Sequence, residues 1–419
     1  MTNTLMSSPE LKDEETVYDR ISLGIDIGTS HCQVTAYGKS YDAADEEKYV
    51  YTKEPISSSC VNSLIWFAKN NETSIAFLLN FQKNHSLPLQ EEHINGVKIP
   101  YVFVDQIENL FEKDEITSEE FDLVKRSTSV HYPIKTKKIN EPYSDLENAV
   151  IRLTITRSLA PFIESQMPLD IVFAKPCEAG AKYDEILKKI ASQITNKNKS
   201  YDNRFIINSE AVFIGHYLLN MLKKKQGAIT ICDIGAGTGD IYIFDQDDSL
   251  TKAMKSFTLA GNQTTHELMK KLKEHANVDI SERDANLLKE KHGFIAGYNT
   301  PESIKTVLVD LYLQGKPRKV RCGKSIDAAC RPMAHEAIRT IVEVFKQYGG
   351  VHPKTLALTG YQGQLEGLDK FIEEGLHLEG YDVTVMNLKH FGENDPRSIV
   401  AKGAEGYSHN IKNQNWLIL

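Results

Sequence analysis

Two short stretches constrain what this chain can fold into more than anything else in it. Residues 229–244 read Ile-Thr-Ile-Cys-Asp-Ile-Gly-Ala-Gly-Thr-Gly-Asp-Ile-Tyr-Ile-Phe. Two β-rich apolar runs flank a turn carrying three glycines, a hydroxyl and two carboxylates, the pattern of a hairpin. Glycine at 235, 237 and 239 lets the backbone amides approach an anion with no Cβ in the way. Asp233 and Asp240 are able to hold Mg²⁺ through water, because magnesium keeps most of its hydration shell. The N-terminal half carries a second copy, Ser22-Leu-Gly-Ile-Asp-Ile-Gly-Thr-Ser-His-Cys-Gln-Val-Thr-Ala-Tyr37. Asp26, Gly28, Thr29 and Ser30 correspond in kind to Asp233, Gly235 and Thr238. One Gly-rich hairpin is as often a structural turn as a phosphate clamp. A matched pair predicts two similar domains facing each other across a cleft, one loop on each side of a nucleotide.

A third piece supports that reading. Thr355-Leu-Ala-Leu-Thr-Gly-Tyr-Gln-Gly-Gln-Leu-Glu-Gly-Leu368 predicts a strand, a glycine turn and a helix start, and helix N-termini of that kind favour anionic or polar ligands. Between the hairpins, Asn208-Ser-Glu-Ala-Val predicts a helix capped by Ser209 with Glu210 in its first turn. The helix dipole alone accounts for a carboxylate there. Its place just before the second phosphate loop gives a further reading, in which Glu210 orients an attacking water.

A chain of 419 residues is long enough for two domains, each with its own core. A net charge of −8 argues against direct nucleic-acid binding, which needs a basic surface. No apolar run is long enough to span a bilayer, and the acidic N-terminal residues are unlike a signal peptide. The six cysteines (32, 60, 177, 232, 322, 330) form no CxxC, so free thiols in a reducing cytoplasm are expected.

The expected organisation is a flexible tail over 1–18, domain I over 19–226 with an outer subdomain at about 42–126, and domain II over 227–394 with an outer subdomain at about 262–330. A helix over 395–410 should return to domain I, followed by a tail over 411–419 ending Trp416-Leu-Ile-Leu, an apolar tip suited to a partner or left disordered. Asp42–Lys48 reads as an acidic turn and Lys83–Asn95 as a loop-rich excursion. Ser144 with Glu147 predicts a capping box on a helix that Pro161 should end or kink. A helix is expected over Ser281–Gly293, with Glu282 and Lys289 two turns apart on one face, and another from Pro332 to about Tyr348.

The order of phosphate loop, second phosphate loop and late glycine turn resembles the actin/Hsp70/sugar-kinase superfamily. The Tyr132-Pro-Ile segment is similar to one found in actins and their bacterial counterparts. Leu23-Gly-Ile-Asp-Ile-Gly-Thr-Ser-His31, Cys232-Asp-Ile-Gly-Ala-Gly-Thr and Ala260-Gly-Asn262 point within it to the bacterial actin-like ATPases of the magnetosome-organising, MamK-like branch. That resemblance implies an α/β actin-like ATPase fold of two similar domains, each a mixed sheet flanked by helices, with small outer subdomains. It implies ATP or ADP with Mg²⁺ as ligands and self-assembly into cytoplasmic, cytoskeletal filaments, with a cargo or adaptor protein as a further partner.

By the same resemblance Asp26, Asp233 and Asp240 place the metal. Gly28, Thr29, Ser30 and His31, with the amides of Gly235, Ala236, Gly237, Thr238 and Gly239, surround the phosphates. Glu210 positions water, and Glu282 and Lys289 lie near the adenine, against the alternative of a solvated charged helix face. The third motif departs from the family's Gly-Gly pattern: Gly360 is followed by Tyr361 and Gln362, whose side chains either contact the nucleotide or crowd it. Residues 42–126 are longer than in these relatives. Plasmid-segregating actins are the rival within the class. An Hsp70-like chaperone would carry a β-sandwich domain after the ATPase region, and a small-molecule kinase a catalytic Asp in its substrate pocket; neither stands out here.

Overall fold

The structure, a computed structural model, describes residues 19–28, 31–42, 45–51, 57–131, 133, 143–163, 167–176, 179–197, 202–222, 227–245, 250–296, 307–313, 316–388, 398–408 and 417–418. The expectations for Thr29, Ser30, Tyr132, Trp416 and the 1–18 tail lie outside these residues. Two compact units divide the chain, Met1–Phe213 with Val400–Leu419, and Ile214–Ile399.

Unit 1 runs β1 (Arg20–Ile27), β2 (His31–Asp42), β3 (Asp45–Tyr51), β4 (Ser57–Asn62), β5 (Ile65–Ala68), α1 (Glu72–Asn84), β6 (Glu91–Ile94), β7 (Val97–Phe103), α2 (Val104–Glu112), α3 (Ser118–Ser127), β8 (Thr128–His131), α4 (Asp145–Ile163), β9 (Leu169–Lys175), α5 (Ala181–Lys197) and β10 (Arg204–Ser209). The division then falls inside α6 (Glu210–Met221). Unit 2 follows with β11 (Ala228–Ile234), β12 (Gly239–Asp245), β13 (Leu250–Phe257), α7 (Gly261–Ala276), α8 (Glu282–His292), β14 (Leu308–Leu313), β15 (Lys316–Arg321), α9 (Gly323–Tyr348), β16 (Thr355–Thr359), α10 (Leu368–Leu378) and β17 (Thr384–Asn387). Finally α11 (Ile399–Ser408) and β18 (Leu417–Ile418) return to unit 1.

The two main sheets share one design. In unit 1 the order is β18-β10-β9-β1-β2-β3, with β4 also on β2; in unit 2 it is β13-β12-β11-β16-β17. Each begins as an antiparallel hairpin and third strand, β1-β2-β3 and β11-β12-β13. Each then adds two parallel strands on the other side of the first, β9 and β10 or β16 and β17. Short turns make the antiparallel pairs; crossover segments containing helices are needed for the parallel ones. Strand order therefore reverses at β1/β9 and at β11/β16, the places where open α/β sheets bind ligands beyond their carboxyl ends.

Alternation sets the burial. Ile21, Leu23, Ile25 and Ile27 of β1 join Cys32, Val34 and Ala36 of β2 in one core with α4 and α5. On the other face Gly24 lets α11 approach: a Cβ there would lie 1.9 Å from the carbonyl oxygen of Ala401. The Tyr407 ring meets Phe213 at 5.3 Å between centroids, anchoring the helix in unit 1. A separate core under the outer sheet β6-β7-β5-β8 gathers Trp66, Phe67, Leu78, Phe81 and Ile107.

Several local expectations are corrected. Of the segment read as an acidic turn, Asp45–Lys48 belong to β3, which pairs along β2 because Tyr49, Val50 and Tyr51 are strong strand formers. The loop expected from Lys83 holds the end of α1 and all of β6; Asn71 caps α1 by accepting from the Ser74 amide at 2.8 Å. The Ser144–Glu147 capping box forms, with Ser144 N and Oγ donating to Glu147 Oε2 at 2.6 and 2.7 Å. Pro161 lies inside the last turn of α4, which ends at Ile163. Pro332 does not start a helix but sits within α9, because the apolar stripe Ile326, Ala329, Met333, Ala337, Ile341 runs through it and outweighs the lost hydrogen bond. The C-terminal tip pairs in cis, with Leu417 beside Phe205 and Ile418 beside Arg204.

Candidate nucleotide site

In unit 2 the carboxyl ends of β11 and β16 lie side by side, with Asp233 in register with Thr359. Thr359 Oγ1 donates to Asp233 Oδ1 at 2.9 Å, fixing that carboxylate. Across the hairpin Asp233 faces Asp240. Asp240 accepts from Thr238 Oγ1 at 3.1 Å and from Ser256 Oγ at 2.5 Å. Burial first, then the charges of Asp233 and Asp240, push the Cys232 thiol far above its usual range. Such a pair suits a hydrated cation.

The turn between them is closed by Gly235 N donating to the Thr238 carbonyl at 2.9 Å. Its carbonyls also cap α7: Gly261 N donates to Gly235 at 3.1 Å and Asn262 N to Ala236 at 2.7 Å. The first amides of α7 are thereby taken. The amides of Ala236, Gly237 and Thr238 make no backbone hydrogen bond among the described residues, leaving three successive donors, the arrangement that cradles an oxyanion. A Cβ at Gly235 would meet only the Thr238 carbonyl, at 3.6 Å, so the ligand side of the turn is open. Gly239 needs no side chain for a different reason: its Cβ would sit 2.1 Å from the Phe257 ring.

Gly360 follows Thr359 with φ +70°, and a Cβ there would strike the Ile234 carbonyl and Asp233 Oδ1. Tyr361 is 36% exposed, whereas Gln362 is 4% exposed and packs beside Gly261 and the Gly235–Ala236 turn. The departure from the family's glycine pattern thus places one ring outward and one amide inward. Glu282 is exposed at the start of α8 and pairs with His266 at 3.2 Å. Lys289 is buried, donating to the Gly261 carbonyl at 2.7 Å and to Thr265 Oγ1 at 2.6 Å. It ties α8 to the start of α7 rather than presenting its charge to solvent.

In unit 1, Asp26 stands at the end of β1 in register with Ala174 of β9, the counterpart of the Asp233–Thr359 relation. Gly28 begins the turn, where a Cβ would lie 2.3 Å from the His31 carbonyl; His31 opens β2. Glu210 is 6% exposed at the first position of α6, and Ser209 Oγ accepts from Val212 N at 3.4 Å, so the expected cap forms. Asp26, Lys175 and Glu210 all belong to the carboxyl edge of this sheet. Lys175, held by Asp184 at 2.8 Å, was not singled out from sequence, since a lysine before a proline carries no motif. Thr359 and Ser256 were also missed: their value depends on strand register.

Among the described residues no three His, Cys, Asp or Glu side chains gather as a direct metal-ligand set. The donors fit a magnesium ion held through water better than one caged by protein. The open amide nest and the hydroxyl-anchored Asp233 and Asp240 fit a phosphate with its metal.

A family model described as MreB/Mbl protein matches residues 170–415. Among solved structures the chain is similar to the MamK double helical filament, at 19% identity over 94% of this chain and 99% of that one, with a TM-score of 0.63. It is similar to MreB 5 of Spiroplasma citri bound to AMPPNP, at 13% identity over 95% of this chain and 98% of that one, with a TM-score of 0.60. A non-polymerising MamK mutant bound to AMPPNP aligns at 20% identity over 93% and 99%, with a TM-score of 0.52. Comparison with curated proteins finds no match. No helix among the described residues is long and apolar enough to cross a membrane. The architecture is the actin-like fold.

Proposed function

Because this chain belongs to the MreB/Mbl family, we propose that it is an actin-like ATPase that binds ATP with Mg²⁺, polymerises into filaments and uses hydrolysis to turn them over. The observation that carries the reading is the duplication: each unit has a first strand ending in Asp-Ile, then a Gly, and a cross-strand partner of the Asp at the same spacing, all at the switch point of its own sheet. Bound ATP supplies the transferable phosphoryl group, and its metal neutralises the charge that develops there.

The chain's own groups then have separate tasks. Asp26, Asp233 and Asp240 hold the metal's water shell, with Asp233 and Asp240 kept in place by Thr359, Thr238 and Ser256. Thr29, Ser30 and the amides of Ala236, Gly237 and Thr238 hold phosphate oxygens. Glu210 orients the attacking water. Phosphoryl transfer depends on positioning and charge neutralisation more than on covalent help, which suits this donor set. Head-to-tail contacts that do not close on themselves give filaments. The cargo we propose is the magnetosome, on the resemblance of Leu23–His31 and Ala260–Asn262 to the magnetosome-organising branch.

Sedimentation and electron microscopy with and without ATP test assembly. Glu210→Ala should still pellet with ATP but release phosphate at least tenfold more slowly, by analogy with other water-positioning groups. Unchanged phosphate release removes Glu210 from the mechanism, and a chain that neither binds ATP nor pellets removes the whole reading. Failure of tagged filaments to run along magnetosome chains would remove the cargo alone.

A further inference from the structure

The two hairpins match in strand register but not in charge. Asp233 is paired across its hairpin with a carboxylate, Asp240, whereas Asp26 is paired across its own with an amide, Gln33. Directly opposed side chains of an antiparallel pair stand on the same face, with Cβ atoms about 4.5–5.5 Å apart. Gln33 and Asp26 therefore project from the same face of the hairpin, at the carboxyl edge of β1. Gln33 is 5% exposed, and its Oε1 is buried with no hydrogen-bond partner. Exchanging the oxygen and nitrogen of the amide would still leave a polar atom unmet, so the assignment of the two does not affect the point. A buried unmet amide is a standing cost to the folded chain, and a bound group is a natural explanation for its retention.

Charge indicates which group. Two carboxylates facing each other, as in unit 2, favour a cation. One carboxylate beside a neutral amide carries half that negative charge and adds a donor, which suits the meeting point of an anion and its metal. We infer that Gln33 is a nucleotide-binding residue of the unit 1 hairpin, its amide accepting from a metal-bound water and donating to a phosphate oxygen of a nucleoside triphosphate. This rests on the ATPase reading above and adds a residue to it.

The test uses the full chain, a fluorescent ATP analogue titrated at low and at millimolar Mg²⁺, and thermal melting without nucleotide. Gln33→Leu removes the unmet amide, so the nucleotide-free protein should melt at or above the wild-type temperature. Its affinity for the analogue with Mg²⁺ should fall about tenfold, the worth of one charge-assisted hydrogen bond. Gln33→Glu recreates the two-carboxylate pair of unit 2. Its affinity should fall further at low Mg²⁺ than at high, because the added charge repels phosphate unless metal intervenes. A Gln33→Leu protein that binds as wild type, or a Gln33→Glu protein with unaltered Mg²⁺ dependence, overturns the inference while leaving the ATPase reading intact. A wild-type chain that fails to bind the analogue overturns both.

Discussion

Lys289 Nζ donates to the carbonyl oxygen of Gly261 at 2.7 Å, joining α8 to the residue that starts α7 and that itself donates to the Gly235 turn. Burial pulls the lysine down to about 8, with the charges of Cys330, Glu290 and Glu282 acting the other way. In the unfolded chain it titrates near 10.4. Between those values the unfolded state binds more protons than the folded one, so this group makes stability rise with pH across that window. Below about pH 8 both states are protonated and the contribution is flat. Wild type should therefore gain on Lys289→Met as pH is raised from 7.5 to 10, by roughly 2–3 kcal/mol at most. Paired urea titrations measure this, and a stability difference that does not change with pH would contradict it.

Gly360→Ala should harm the fold and the site together. The residue has φ +70°, and its Cβ would come within 2.4 Å of the Ile234 carbonyl and 2.7 Å of Asp233 Oδ1. Left-handed strain costs about 1 kcal/mol and the backbone clash adds to it, for a total on the order of 2–4 kcal/mol. Asp233 must shift to relieve the contact, so nucleotide affinity should drop as well. Wild-type stability in denaturant together with wild-type affinity would show that Gly360 is not what holds Asp233.

What could be read from the residues alone was the part governed by short-range pattern. Both hairpins, the Ser144–Glu147 box and the Ser209 cap follow from alternation, glycine clusters and capping chemistry within a few positions. The rest depends on partners far apart in the chain. Gln33 looks like any strand residue until the turn length sets it opposite Asp26. Lys289 has the composition of an exposed helix face, and only packing against Gly261 and Thr265 takes it inside. α1 went unread because its polar positions break the apolar stripe while Leu78 and Phe81 still reach a core. Pro332 suggested a boundary that packing of α9 overrode.

Asp170 should be needed for folding rather than for nucleotide binding. It is fully buried at the amino end of β9, accepting from Arg20 Nε at 2.8 Å, Lys39 Nζ at 2.6 Å and Arg204 Nη2 at 2.7 Å. Burial alone raises its pKa, but the Arg204 hydrogen bonds and the charges of Lys39, Arg20 and Arg204 outweigh it and hold the carboxyl below the usual range. Its contribution is present above the unfolded pKa near 3.9 and is lost as pH falls through the lower folded value. Asp170→Asn leaves three buried cations without their shared anion, which should cost about 3–5 kcal/mol at neutral pH. Chemical denaturation measures the loss. A loss below 1 kcal/mol would mean that another group neutralises the cluster.

Two glycines of the same turn should respond in opposite ways. At Gly239 an added Cβ would meet the Phe257 ring at 2.1 Å, in a buried core that also holds Ile241 and Ala260. At Gly235 it would meet only the Thr238 carbonyl, at ordinary contact distance. Gly239→Ala forces the ring or β12 to move, an overpacking that costs about 1–3 kcal/mol, with nucleotide affinity reduced only as far as β12 shifts. Gly235→Ala leaves the core alone and should melt near the wild-type temperature, but it adds a methyl group to the turn whose Ala236, Gly237 and Thr238 amides are open. ATP affinity should fall tenfold or more there, the equivalent of about 1.4 kcal/mol. Melting curves and nucleotide titrations on the two variants separate packing from binding. If Gly235→Ala binds ATP normally while Gly239→Ala does not, the open donors of this turn are not the phosphate cradle, and the cradle must be sought in the unit 1 hairpin alone.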